Sequence, residues 1–218
     1  RLTARRTAVL SPRKADLGNL FRVDANAEGD TVVIGGWQPR VRSGTGEIDT
    51  RLSPWFSVRL TKSTAPWAFY RGAPYKAISA LELMATAVGL QIFGVPSSRD
   101  AGAHGYGAVV LSTGTDSQVA SRVIEKGIAR TYPMCCVAME IAAMQERHNI
   151  WLHSRWTPRE WNTEADDLTN ERFGAFECGH RIPNRVEGLP WLVLPRLLET
   201  GLAWQAQRQP RVPRQEGR

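Results

Sequence analysis

Apolar residues recur along the chain with two periods, and the switch between them divides it into elements. Leu20-Phe-Arg-Val-Asp24-Ala-Asn-Ala reads as a first strand, Glu28-Gly-Asp30 as a turn and Thr31-Val-Val-Ile-Gly-Gly-Trp37 as a second strand. The short turn makes the pair antiparallel. Gly35 and Gly36 inside the second strand predict a bulge or a close backbone approach. Residues 40–53 are a polar loop, and Trp55-Phe-Ser-Val-Arg-Leu60 is a third strand. A long connection with Pro66, Gly72 and Pro74 follows. The period then changes: Ile78, Leu81, Ala85, Val88 and Ile92 draw one helical stripe over Lys76 to Phe93. Residues 94–105 are a polar loop, and Ala108 to Leu111 read as a buried strand. Asp116 stands where that strand gives way to a polar turn. A helix follows from Ser117, with Val119, Val123 and Ile124 at helical spacing. Pro133 opens another helix, through Val137, Met139, Ile141, Ala142 and Met144 to about His148, and Asn149 ends it. Ile150 to Trp156 is a strand, Thr157 to Asn162 a loop, and Thr163 starts a last helix running to Phe173 or Phe176. Three antiparallel strands followed by α/β alternation predict an α/β fold: a mixed five-stranded sheet flanked by helices.

Composition narrows the class. At 218 residues, 42% hydrophobic and 22% charged, the chain is globular, with room for one ordinary domain and extensions. Its net charge of +7 favours a polyanionic partner such as nucleic acid. Three Cys without a C-x-x-C pair indicate neither a disulfide framework nor a zinc ribbon, and a reduced, intracellular setting fits. Cys135-Cys136 lie in a helical pattern as packing residues. No signal peptide and no apolar run of membrane-spanning length is expected, hence no membrane partner. The start at Arg1 predicts a piece cut from a longer translated chain. Residues 1–19 read as a basic linker or the end of a preceding domain, 20–178 as the domain itself, and 179–218 as an extension. In that extension Gly188 to Leu198 packs back as a short element, and the chain is disordered after about residue 205.

Four acids carry the candidate chemistry. Asp116 at the end of its strand is either a helix N-cap or a functional carboxylate where sites collect in α/β sheets. Glu82 falls inside an apolar helical stripe. There it is either paired with an Arg at the stripe's edge or held by a cation. Asp166 in the first turn of the last helix suits the helix dipole. Asp24 on the first strand could equally be a turn residue.

Taken together, order and residues resemble the ribonuclease H-like family, and most closely the ribonuclease H domain that follows reverse transcriptase in retroelement polyproteins. Thr115-Asp116-Ser117-Gln118 is similar to that family's T-D-S-Q, and Asn162-Thr-Glu-Ala-Asp166-Asp-Leu168 to its N-x-x-A-D-x-L. Ala80-Leu-Glu82-Leu resembles the glutamate helix, and Val23-Asp24 with Ile34-Gly-Gly-Trp37 the first hairpin. The resemblance spans roughly residues 20–176. It implies that Asp24, Glu82, Asp116 and Asp166 are catalytic and bind two Mg²⁺ ions, with Mn²⁺ as a substitute. Such ions, about 4 Å apart, activate water and steady the leaving oxygen of a phosphodiester. It further implies endonuclease cleavage of the RNA strand of an RNA–DNA hybrid, with an adjacent reverse-transcriptase domain as partner. Ser117, Gln118, Arg159 and Asn162 are expected at the substrate. Asp30 rivals Asp24, and Asp167 rivals Asp166.

Two departures from the family matter. The loop Trp156-Thr-Pro-Arg-Glu-Trp161 lacks the His that many members carry there, leaving Arg159 as a phosphate contact or a plain surface residue. The basic helical protrusion of some members is also missing. Both favour hybrid binding supplied by a neighbouring polymerase domain, and they keep open a catalytically inactive structural or nucleic-acid-binding module. A related integrase or resolvase-type nuclease is a third reading. Trp37, Trp55 and Trp151 lie in strands and are expected in the core. Trp67, Trp156 and Trp161 lie in connections and are better placed to stack on bases. Cys178-Gly-His180 lacks the second ligand pair that a zinc site needs.

Overall fold

The computed structural model describes residues 18–95, 109–183 and 185–207. The loop expected at 94–105, the basic start and the tail beyond 207 therefore fall largely outside the described residues. Five strands form one sheet: β1 Phe21–Glu28, β2 Thr31–Trp37, β3 Trp55–Leu60, β4 Val109–Thr115 and β5 Ile150–Trp156. Their order is β3-β2-β1-β4-β5. The first three pair antiparallel, and β4 and β5 run parallel to β1. The helices are α1 Ile78–Gly89, α2 Gln118–Lys126, α3 Met134–His148, α4 Thr163–Thr169 and α5 Leu194–Gln207. This arrangement is the ribonuclease H-like architecture. The bounds of β2, β3 and β5 coincide with those expected from the sequence.

Alternation along β1 explains the layering. Phe21, Val23 and Ala25 enter the main core with Ile34, Leu81 and Met84 on the α1 side. Arg22, Asp24 and Asn26 face the other side, where α4 packs across β1, β2 and β3. A second core of Trp37, Trp55, Ala165, Leu168 and Phe176 fills that interface. Gly35 permits it: a Cβ there would lie 2.9 Å from the Leu168 Cβ. The pair Gly35-Gly36 thus marks a close approach without a bulge, since the β1–β2 register runs unbroken past both.

Four expectations need correcting. α1 is buried nearly all round, because it lies between the sheet and α3, so the single stripe underestimates its core face. With its flanking turns the helical run Pro74–Gly94 has 21 residues and a mean hydropathy of 1.5 over its most apolar window. By length and composition it could cross a membrane; here it is the central core helix. β4 is not buried throughout. Only Phe21 and Arg22 of β1 pair with it, at Thr113 and Gly114, so Val109 and Val110 lie beyond β1 and are exposed. α4 stops at Thr169 rather than at Phe173 or Phe176. The Asn170 side chain takes the Asp166 carbonyl at 2.7 Å, Glu171 turns left-handed at φ 57°, and Phe173 and Phe176 fold back onto Trp55 and Trp37.

The C-terminal helix α5 packs on α3 and is fastened by a group the apolar periodicity conceals. Glu140 of α3 is fully buried, and its carboxylate accepts from the backbone N–H groups of Leu192, Val193 and Leu194 at 2.7–2.8 Å. These are donors that the start of a helix otherwise leaves unsatisfied. Both sheet edges are hydrogen-bonded from outside the sheet, by side chains at β5 and by the backbone at β3. Gln145 accepts from Leu152 N–H on β5, Ser121 donates to the Ser154 carbonyl, and the Ile182 N–H donates to the Trp55 carbonyl on β3.

Candidate functional site

Each acid arrives by a different local rule. Asp24 sits on the α4 side of β1 and is buried, with a 2.8 Å hydrogen bond from Thr169. Asp30, its rival, is exposed at the far end of the hairpin. Asp116 follows the last residue of β4, and it is not the cap of α2. That role falls to Ser117, whose hydroxyl accepts from Ala120 N–H at 3.2 Å. One buried oxygen of Asp116, Oδ1, has no hydrogen-bond partner among the described residues. Glu82 is half-buried on α1 and receives a hydrogen bond from Ser117. Asp166, in the first turn of α4, is held by Arg159 at 2.7 Å, by Arg172 at 2.9 Å and by the Asn170 amide at 2.9 Å. Its rival Asp167 pairs with Arg172.

Asp116 acts electrostatically on both Asp24 and Glu82, and Asp166 acts on Asp24 and Asp116. Burial first, and then the nearby Asp116, push Asp24 up to about 6. Burial also lifts Glu82, with Asp116 and Asp24 adding to it, to about 7. Asp116 is raised by its own burial, while Arg159 and Asn162 favour its charge. Arg159 is held charged above its ordinary range, first by its hydrogen bond to Asp166.

The expected pair of Mg²⁺ ions, with Mn²⁺ as a substitute, is not supported. Among the described residues no group of three or more His, Cys, Asp or Glu side chains is placed to hold a metal ion. The physical reason lies in the partners. Asp166 has its oxygens occupied by two guanidinium groups and an amide, and Asp24 accepts from Thr169. Cys178 and His180 likewise form no cluster, and His180 Nδ1 lies 2.8 Å from the Arg51 carbonyl.

The residues expected at a substrate divide. Arg159 and exposed Gln118 border the acids, while Ser117 is consumed as the cap. Asn162 is buried and donates to the Val23 carbonyl at 3.1 Å, leaving its Oδ1 without a partner. Arg172, Thr169 and Arg22 were missed. Thr169 stands one helical turn after Asp166, a spacing that could have revealed it; Arg172 lies past the helix end, where no periodicity reaches. The aromatic expectations also shift. Trp37 and Trp55 are core, but Trp67 is buried, and Trp151 is 63% exposed. Trp156 and Trp161 flank the acids. The Trp156 indole donates to the Asp116 carbonyl at 2.9 Å, and the Trp161 carbonyl accepts from Arg22 at 2.8 Å, while the Trp161 side chain stands 68% exposed.

No protein-family profile and no curated protein matches the chain. Several solved structures are similar to it, among them the following three. Ribonuclease H1 from the halophilic archaeon Halobacterium salinarum has 18% identity and a TM-score of 0.41, covering 70% of this chain and 95% of its own. The N-terminal ribonuclease H domain of a Mycobacterium tuberculosis protein has 16% identity and a TM-score of 0.39, with coverages of 71% and 92%. LC11 ribonuclease H1, solved with an RNA/DNA hybrid, has 19% identity and a TM-score of 0.40, with coverages of 69% and 93%. The architecture stands on the strand order and helix placement described above.

Proposed function

We propose that the chain is a ribonuclease H-like module that binds RNA–DNA hybrid without cutting it by a two-metal route, and that it serves beside a reverse-transcriptase domain in a retroelement polyprotein. The observation that carries the first part is the clamp on Asp166: Arg159 and Arg172 occupy the carboxylate that a nuclease would need free. Around that clamp stand exposed indoles at Trp156 and Trp161, suited to bases or sugars at a duplex surface, and Arg159, whose side chain is largely exposed and able to meet a phosphate. The polyprotein setting is supported by the resemblance of Thr115–Gln118 and Asn162–Leu168 to that group's motifs. A second reading, a phosphodiester hydrolase using Asp24, Glu82, Asp116 and Asp166, is favoured by one observation: Glu82 near 7 suits proton transfer at neutral pH.

One experiment separates the two readings. The chain is incubated with end-labelled RNA–DNA hybrid in Mg²⁺ buffer, and a native gel and a denaturing gel are run on the same sample. A shifted band with intact RNA is the expected outcome. RNA scission by the wild type that is lost in a folded Asp116→Asn variant overturns the binding-only reading in favour of the hydrolase.

A further inference from the structure

The C-terminal helix encloses a cavity, and the sequence shows why it is apolar. Leu194, Leu198 and Leu202 recur every fourth residue and so share one face of α5. With Met84 of α1 and Trp67 of the turn Pro66–Phe69 they line a cavity of about 280 Å³. Its walls are held in place by polar contacts. Glu140 accepts from the Leu192, Val193 and Leu194 N–H groups at 2.7–2.8 Å, and the Tyr132 hydroxyl donates to the Leu198 carbonyl at 2.9 Å. Trp191, also in the lining, donates its indole N–H to the Val186 carbonyl at 2.6 Å. The rim differs in kind. Glu199 of α5 and Glu187 of the turn Val186–Gly188 border the cavity, and both are exposed. They are its only charged residues among the described ones, in a chain whose net charge is +7. Neither stands in an ion pair among the described residues. Met84 follows Glu82 by two residues, roughly 200° around the helix, so the cavity lies across α1 from that acid.

We propose that this cavity binds a small organic cation, an aryl- or alkylammonium compound, with its apolar body inside and its ammonium group at the Glu187–Glu199 rim. Size and lining select the body. An apolar cavity of about 150 Å³ takes a benzene ring, so this one has room for a ring with a short arm. Small-molecule sites combine such a lining with a few polar groups that fix orientation. Charge selects the arm. Two carboxylates at the mouth and no Lys or Arg among the described lining residues favour a cation and repel an anion. Two indoles in the wall, those of Trp67 and Trp191, add the attraction of an aromatic face for an ammonium group. The charge itself stays at the exposed rim, where it keeps its water, while the ring replaces water on apolar walls. The proposal is independent of the nucleic-acid reading, because the same carboxylates would repel a phosphate.

Titration of the full 218-residue chain, ¹⁵N-labelled and followed by NMR at the tryptophan indole N–H groups, tests this. The probes are 2-phenylethylammonium, its neutral counterpart 2-phenylethanol and the anion 3-phenylpropionate. The ammonium should shift the Trp67 and Trp191 indole signals saturably and bind about tenfold more tightly than the alcohol, with the anion weakest. The double variant Glu187→Gln/Glu199→Gln changes only exposed side chains. It should bring the ammonium down to the alcohol's affinity while leaving the alcohol's affinity and the melting temperature unchanged. No saturable shift at Trp67 and Trp191 overturns the proposal, as does an alcohol that binds as tightly as the ammonium. A double variant that keeps the cation preference also overturns it, by placing the cation at other carboxylates. Concentration-dependent self-association that the double variant alters, without ammonium binding, assigns the cavity to a second copy of the chain and likewise overturns it.

Discussion

Burying Asp24 and Glu82 beside Asp116 couples stability to pH through single side chains. In the unfolded chain these carboxyls titrate at their ordinary values of 3.8 and 4.5; in the fold they titrate near 6 and 7. Between those limits the folded chain holds more protons than the unfolded one, so stability is full below about pH 4 and falls as pH rises toward 7. At about 1.4 kcal/mol per unit, and discounting for coupling between the groups, the loss is on the order of 3 kcal/mol. Asp49, lowered by its hydrogen bond from Arg42, acts oppositely in more acidic solution, which puts the optimum at about pH 4. Thermal melts should therefore show a melting temperature roughly 5–10 °C higher at pH 5 than at pH 7.5, and Glu82→Gln should flatten the difference. A melting temperature that climbs steadily from pH 5 to 7.5 would contradict the buried, proton-holding acids. The neighbouring positions give a sharper residue-level contrast. Ser117→Ala removes both the α2 cap and the hydrogen bond to Glu82, and should cost about 1–2 kcal/mol. Asp116→Asn leaves the cap intact and relieves repulsion, so its stability at pH 7.5 should hold or rise. Denaturant titration of both variants measures the pair, and equal losses would return the cap to Asp116.

At the scale of elements, Glu140 shows what hydrophobic periodicity conceals. Within the α3 pattern of Val137, Ile141 and Met144 it looks like a misplaced charge, yet it is the fastening point of α5. Three charge-assisted hydrogen bonds from backbone N–H groups satisfy it. Glu140→Gln turns an amide N–H₂ toward those donors and should cost about 2–3 kcal/mol. The loss should be local first: amide exchange over 194–207 should accelerate before that of β1 and α1, and α5 should become the first protease-sensitive helix. Uniform acceleration across the sheet would instead make Glu140 a general core residue. The contrast with the strands is instructive. β2, β3 and β5 were legible as short apolar or branched runs bounded by turns, although only β5 buries alternate side chains and β2 is buried on both faces. The end of α4 was not, because it is set by Phe173 and Phe176 packing on strands more than a hundred residues earlier. The exposed start of β4 was hidden for a similar reason: Val109 and Val110 look like core until one knows where β1 ends.

Across the whole molecule, the acids were legible as a set and their electrostatic partners were not. Asp24, Glu82, Asp116 and Asp166 stand out from their flanking motifs, but Arg172, which helps neutralise Asp166, comes from a turn after α4 with no motif of its own. The metal expectation failed there: a carboxylate set read from sequence carries no record of which cations already occupy it. The net charge of +7 bears on the partner, since its basic groups should contact phosphates and release counterions. Hybrid affinity should therefore fall linearly in log–log form with salt, and each lost phosphate contact should reduce the slope by about 1. Arg159 is the discriminating position because two roles compete for it. As a phosphate contact, its replacement in Arg159→Ala should flatten the slope by about 1 and weaken binding at low salt. As a purely internal partner of Asp166, its replacement leaves Arg172 on that carboxylate, and the slope should stay unchanged while the melting temperature drops. Arg159→Lys keeps the charge but loses the fork, so it should restore most of the slope without restoring the two-sided clamp. Titrations of wild type and both variants between low and physiological salt decide it. A slope shared by all three would remove Arg159 from the nucleic-acid surface and leave the exposed indoles of Trp156 and Trp161 to carry the contact.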